Sequence, residues 1–371
     1  MLHKFLGFDP TLTLLTFVVT AGVLWLVQPM AYRFGLLDCP AGRKDHAEPT
    51  PVTGGLAIFV GCAVVFLWGR SSSHALHSFL AAASLLVATG IYDDLYDLRW
   101  YWRILIQTAA SLLMIYWGGV RVEQIGPVFG LGEFSLGWLS VPFTVFATIG
   151  VINAMNMIDG VDGLCGLLGL AALVMLSAAA IYAGNEVLAG RLSVLCGALA
   201  GFLIWNMRLP WRPRAKVFLG NAGSALLGLV IAWVSFRLTQ NKGHPVNPVL
   251  ALWLLPVPVM DCLVLIVRRL QEGRSPFSAG RDHIHHIMQD AGFGPTRVAL
   301  WLTGFSLLCG LLVGQAMRMD IPNPLLLAVF VALCGGWYLL TSKRERAVAF
   351  FRRLRHAPPP VVDKDAVREI D

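Results

Sequence analysis

Two asparagines and two aspartates recur every three residues in NAMNMIDGVDGL, residues 153–164, between two long apolar runs. Amide and carboxylate oxygens of this kind ligate a hard cation, or bind sugar hydroxyls and a nucleobase. A straight helix would carry four residues at this spacing gradually around its surface, so only Asn153 and Asn156 need share a face. Gly160 and Gly163 allow the chain to turn, which predicts that a helix ends here and leaves Asp159 and Asp162 in a turn before the next one. Plain loop capping would use the same residues, so the cluster gains meaning only beside the others.

Four further groups of residues stand out. Asp93, Asp94 and Asp97 in DDLYDLRW sit close together at the end of an apolar run, and burying such carboxylates at a membrane boundary requires a cation or hydrogen bonds. The plainer reading is a solvated helix end with Arg99 and Arg103 as counter-ions. FLGNAGSALLG (218–228) places Gly220, Asn221, Gly223 and Ser224 at the start of an apolar run, where free backbone N–H groups form an anion site. Arg212, Arg214 and Lys216 lie just upstream, where they serve either a phosphate ligand or topology. RDHIHH (281–286) groups Arg281, His283, His285 and His286. Zinc is one reading, but no cysteine supports it, and an anionic diphosphate held by His and Arg fits better. Asp261 alone falls inside an apolar run, and an intramembrane acid is either functional or a hydrogen-bonded structural residue.

The elements that must position these residues follow from composition. The 371-residue chain is 56% hydrophobic and 14% charged, with a mean hydropathy of +0.66, which describes an all-α polytopic membrane protein. Eleven apolar runs, centred near 10–31, 52–69, 75–91, 103–119, 138–153, 163–184, 190–206, 221–237, 248–267, 297–316 and 322–342, approach the roughly 20 residues that cross a bilayer. Most of the 29 Lys and Arg fall after odd-numbered runs and in the tail, which predicts a periplasmic N-terminus and a cytoplasmic C-terminus. The net charge of +7 is then a topology signal, and nucleic acid is not an expected partner. Nearly every polar cluster, including RKDHAEPTPVTGG (43–55) with Lys44 and His46, converges on the cytoplasmic face. Six of the seven cysteines lie in apolar runs and read as packing residues. Residues 1–342 are expected to form one integral membrane domain, and 343–371 a basic juxtamembrane helix followed by a disordered tail.

Taken in order, RKDH with PVTGGLAIF, DDLYDL, NAMNMIDGVDGL, KVFLGNAGS and MDCLVLIVRRLQEGRSPFSAGRDHIHHIMQDAGF resemble the polyprenyl-phosphate N-acetylhexosamine-1-phosphate transferase family. The last segment is most similar to the bacterial branch that acts on undecaprenyl phosphate and begins O-antigen and enterobacterial common antigen synthesis. The resemblance implies a multi-pass protein of the bacterial inner membrane, commonly a homodimer. It implies transfer of GlcNAc-1-phosphate from UDP-GlcNAc to undecaprenyl phosphate, with Mg²⁺ or Mn²⁺ as cofactor. It assigns Asp93 and Asp94 to catalysis and Asn156 and Asn221 to the metal. Asn153, Asp159 and Asp162 would hold nucleotide or sugar. Arg281, His283, His285 and His286 would grip the diphosphate, with Lys44 and His46 on the same face. A covalent aspartyl intermediate rivals direct attack by the lipid phosphate, and another UDP-N-acetylhexosamine rivals UDP-GlcNAc. A transporter or flippase is the competing class, although such folds usually place their acids near the bilayer midplane. One departure stands out: the family segment reads GDxGS, whereas Asn221 here brings no negative charge, so weaker metal affinity and lower activity are expected. It is a natural variant, an engineered substitution, or the mark of an enzyme that draws charge from a neighbouring acid.

Overall fold

The apolar runs become helices, the form in which a chain in lipid satisfies its own backbone hydrogen bonds. A computed structural model describes residues 9–39, 48–68, 73–130, 132–240, 246–276 and 280–355. The order is α1 (Pro10–Phe34), β1 (Leu37–Asp38), β2 (Thr50–Pro51), α2 (Gly54–Trp68), α3 (His74–Tyr96), α4 (Trp100–Tyr116), a 3-10 turn (Gly137–Leu139) and α5 (Ser140–Ile158). It continues through α6 (Leu164–Tyr182), α7 (Glu186–Asn206), α8 (Gly220–Thr239), α9 (Leu250–Leu254), α10 (Pro256–Gln271), α11 (Ile284–Asp290), α12 (Pro295–Arg318), α13 (Asn323–Thr341) and α14 (Arg344–Leu354). Lys44 and His46 lie outside the described residues, as does the tail beyond Arg355.

Among the described residues, eight helices are long and apolar enough to cross a bilayer: α1, α3, α5 with its 3-10 turn, α6, α7, α8, α12 and α13. The other three apolar runs are shorter or interrupted. The helix α2 has 15 residues and α4 has 17, while the ninth run breaks into α9 and α10 at Leu255, ahead of Pro256. Local chemistry sets the ends. The Asp9 carboxylate accepts from the N–H groups of Thr11 and Leu12 at 2.9 and 3.2 Å, and Gly35 leaves α1 in a left-handed conformation at φ 72°; both are common helix stops. The glycine-rich turn expected after the fifth run is present: α5 ends at Ile158, and Gly163 at φ 81° precedes α6.

Which helices sit inside is decided by their neighbours, since almost all are apolar around their whole circumference. The helix α8 is enclosed on nearly every side, packed by α2, α3, α5, α6. At the periphery α1 and α13 expose large apolar side chains, with Trp25 66% and Leu339 74% accessible, as helices facing lipid do.

The start of α8 is tied to the short β1–β2 ribbon, in which Leu37 pairs with Pro51 and Asp38 with Thr50. The Phe218 N–H donates to the Pro51 carbonyl at 2.8 Å, and the N–H groups of Gly54 and Gly55 donate to the carbonyls of Phe218 and Leu219, each at 3.0 Å. This contact gives PVTGG its residue types, because a Cβ at Gly55 would lie 2.2 Å from the Gly223 nitrogen. Gly55→Ala should therefore destabilise the fold by about 1–3 kcal/mol, the usual cost of overpacking. Gly304→Ala, where a Cβ meets nothing within 4 Å, should leave the melting temperature in detergent unchanged or slightly higher. Equal melting temperatures for the two variants would contradict this packing.

Candidate active site

The ends of α3, α5 and α7, the start of α8, and α11 meet at one end of the bundle. They enclose a cleft of about 450 Å³ lined by Asp38, Asp94, Asn156, Asp159, Asp162, Asn206, Arg208, Asn221, His286 and Gln289, among others. A second cavity of about 30 Å³ lies between α3, α4, α5 and α8 and is bordered by Asp93, Arg103, Gln107 and Asn153. Asn156 and Asn221 border both spaces.

The neighbouring acids Asp93 and Asp94 therefore face different surroundings. Asp93 is buried; one carboxylate oxygen accepts from the Leu98 N–H at 2.7 Å and the other pairs with Arg103 at 3.4 Å. It holds the end of α3, where Asp97 turns into the left-handed region at φ 51°. Asp94 Oδ1 accepts from the Asn221 N–H at 3.1 Å, while its Oδ2 is buried with no hydrogen-bond partner. Gly220 permits this approach twice over: it lies at φ +75°, and a Cβ there would be 2.6 Å from Asp94 Oδ2. Asn156 Nδ2 donates to Asn221 Oδ1 at 2.7 Å and to Ser224 Oγ at 3.1 Å. Asn153 turns away from the cleft and donates to Gln107 Oε1 at 2.8 Å.

In the turn between α5 and α6, Asp162 pairs with Arg208 at 2.6 Å. Asp159 keeps part of its surface accessible. Burial nevertheless pushes its carboxyl up to about 8, helped by the charges of Asp94, Asp162 and Asp38. Two residues that the sequence did not single out complete this wall. Asn206 accepts from the Gly163 N–H at 2.8 Å and donates to the Val217 carbonyl at 2.9 Å, which joins the turn to the segment before α8. Arg208 supplies the cation opposite Asp162. An asparagine and an arginine where an apolar helix ends were the available signal.

The RDHIHH residues are divided by the start of α11. His286 borders the cleft, with Nδ1 3.3 Å from Gln289 Oε1. His285 is buried below Gly160, where a Cβ would lie 2.5 Å from its Nε2. Burial lowers its pKa well below the ordinary range, with His286, His283 and Arg281 adding to the effect, so it is neutral at neutral pH. His283 stacks on His285 with ring centroids 5.4 Å apart. It is held by Asp261, whose carboxylate lies 2.8 Å from His283 Nδ1 and accepts from the Ile284 N–H at 3.1 Å and Trp337 Nε1 at 3.3 Å. Arg281 sits outside the cleft lining and pairs with Asp290 at 3.6 Å.

The donors suit a hard cation in kind. Among the described residues no group of three or more His, Cys, Asp or Glu is placed to hold a metal, so a site here would combine a carboxylate with amide oxygens or waters. The unpartnered Asp94 Oδ2 beside the Asn156–Asn221 pair offers that mixture of oxygens.

This fold and cleft define an integral membrane protein with an acid- and amide-lined site at one end of its helix bundle. A model of Glycosyl transferase family 4 matches residues 76–239. The chain is 36% identical over 294 residues to the undecaprenyl-phosphate alpha-N-acetylglucosaminyl 1-phosphate transferase of Haemophilus influenzae, covering 79% of this chain and 83% of the relative. Proteins of the same name from Yersinia pestis and Escherichia coli K12 are 33% and 34% identical, over 92% and 91% of this chain and 94% of each relative. The chain belongs to this family of transferases.

Asp159 generates a pH prediction. The unfolded carboxyl ionises near ~3.9, whereas the folded one holds its proton to about 8. Between these values the folded state binds more protons, so this residue's contribution to stability falls as pH rises and levels off above the upper value. The melting temperature of Asp159→Asn should gain on the natural chain across that window. A gap independent of pH would show that Asp159 is ionised in the folded state.

Proposed function

We propose that the chain transfers GlcNAc-1-phosphate from UDP-GlcNAc to undecaprenyl phosphate, releasing UMP. The observation that carries this reading is the convergence of Asp94, Asn156, Asp159, Asp162, Arg208, Asn221 and His286 on one cleft, in a member of a family whose relatives are named as undecaprenyl-phosphate alpha-N-acetylglucosaminyl 1-phosphate transferases.

The two reactants are both anionic, so positioning and charge neutralisation are what the site must supply. A lipid phosphate oxygen attacks the sugar-linked phosphorus of the donor; one P–O bond forms, the P–O bond to UMP breaks, and UMP leaves with the electron pair. Asp94 orients the acceptor phosphate and takes any proton it carries. Asp93, fixed by Arg103 and the Leu98 N–H, holds the end of α3 so that Asp94 stays in place. Asp159 and Asp162, with Arg208 beside them, bind the nucleotide or sugar. His286 faces the diphosphate, and His283 and His285 support it from below. Arg281 backs the same loop.

Mg²⁺, or Mn²⁺ in its place, would neutralise diphosphate charge when held by Asn156, Asn221 and the free oxygen of Asp94. Because Asn221 is uncharged, Asp94 alone would carry the negative charge of this set, with Asp159 and Asp162 on the same cleft. We further propose eleven spans in the inner membrane, with the two shorter helices and the broken α9–α10 pair added to the eight long ones, and with the cleft and C-terminus cytoplasmic. A transporter reading draws no support from Asp261, whose oxygens are engaged by His283, Ile284 and Trp337.

UMP release by the purified protein tests this reading. It should require UDP-GlcNAc, undecaprenyl phosphate and a divalent cation, and stop on chelation. Asp94→Asn should lower the rate by about 10²–10⁴-fold, the range for loss of a proton-handling group. Asn221→Asp should lower the cation concentration needed for half-maximal rate. Release that ignores the lipid acceptor, or an unchanged rate in Asp94→Asn, would overturn the assignment.

A further inference from the structure

A short basic helix follows the last long apolar helix at once: α13 ends at Thr341 and α14 begins at Arg344. That spacing keeps α14 at the boundary where α13 leaves the apolar layer. One face is already occupied by protein. Ala347 is fully buried, Val348 and Phe351 pack on the main core, and Phe351 meets Phe293 edge to face at 6.5 Å. Arg344 secures the same side, with Nη1 donating to the Arg281 carbonyl at 2.6 Å and Nη2 paired with Asp290.

The other face is built differently. Arg346, Phe350, Arg353 and Leu354 follow one another at i, i+4, i+7 and i+8, so they share a stripe. All four are exposed, with Phe350 at 45% and Leu354 at 54%. Apolar side chains bracketed by guanidinium groups on a helix at a bilayer boundary match an interfacial helix, whose rings and alkyl groups enter the headgroup layer while its cations meet phosphodiesters.

We infer that the outer face of α14 binds anionic phospholipid and that its inner face transmits this contact to the loop and helix spanning residues 281–290. The occupant is a lipid surface, because the stripe starts within a few residues of a membrane-crossing helix and its charge complements anionic headgroups. With the outer face seated, Arg344 is held over Asp290 and the Arg281 carbonyl. The helix α11, which brings His286 and Gln289 to the cleft, is then steadied. The effect on turnover rests on the transferase reading; the lipid contact does not.

The test uses the full chain in nanodiscs of phosphatidylcholine, alone or mixed with phosphatidylglycerol. It reads amide exchange over residues 344–354 and UMP release in parallel. Phosphatidylglycerol should slow exchange across α14 and raise UMP release several-fold. The double variant Arg346→Gln/Arg353→Gln should lose both responses, since each arginine near an anionic surface contributes roughly a fivefold factor and the pair about 25-fold. Phe350→Ser should weaken protection in both lipid compositions. An equal response in the double variant, or exchange indifferent to phosphatidylglycerol, would overturn the proposal. So would protection that instead scales with the number of protein copies per disc, which marks a second chain as the occupant. Slower exchange without faster UMP release, in protein that is active, would overturn the coupling. If no condition releases UMP while exchange still responds, the lipid surface stands and the transferase reading fails.

Discussion

The arrangement depends on how the start of α8 is satisfied inside an apolar bundle. This helix is enclosed on nearly all sides, and the first N–H groups of any helix lack intrahelical partners. Here Asp94 accepts from the Asn221 N–H, and the ribbon around Pro51–Gly55 pairs with Phe218 and Leu219. Those contacts bring the ends of α3 and α8 and the turn after α5 to one place. A carboxylate used in this way cannot also be fully solvated, and its second oxygen is left buried and unpartnered. The group that completes the scaffold is thus also the one poised to bind a cation or handle a proton.

Electrostatics extend that constraint across the cleft. Asp159 is pushed toward its neutral form by burial and by three acids nearby, whereas Asp162 has Arg208 within 2.6 Å. Closely spaced carboxylates on one wall favour a bound cation or a cationic ligand group, because either relieves their mutual repulsion. The opposite wall is held from underneath: the buried Asp261 orients His283 and the first turn of α11, and His286 reaches the cleft from that base.

Much of this was legible in the sequence because the signals were local. Gly160 and Gly163 marked the turn: Gly163 adopts the left-handed conformation that glycine takes without strain, and a Cβ at Gly160 would run into His285. Apolar runs marked the helices, although length alone did not reveal that the ninth would break before Pro256. Side-chain direction was less legible. In RDHIHH the three histidine rings stay together, with centroids 4.2 to 6.4 Å apart, but only His286 borders the cleft, while His283 is held by Asp261 and His285 is buried. The same holds for Asp93 and Asp94, which face separate spaces. Long-range partners were invisible: Asp261 meets a histidine 22 residues away, and Asn206 bridges two loops through backbone groups.

The transferase reading makes the cleft bounded by the turn after α5, the segment before α8 and α11 the nucleotide-sugar site. Hydrogen–deuterium exchange of the full chain in lipid, with and without UDP-GlcNAc and Mg²⁺, tests it most directly. Exchange should slow in residues 156–163, 206–221 and 284–290 together, with no change in loops at the opposite end of the bundle such as 183–186. Protection confined to that opposite end, or none in these three segments at a donor concentration that saturates turnover, would contradict it.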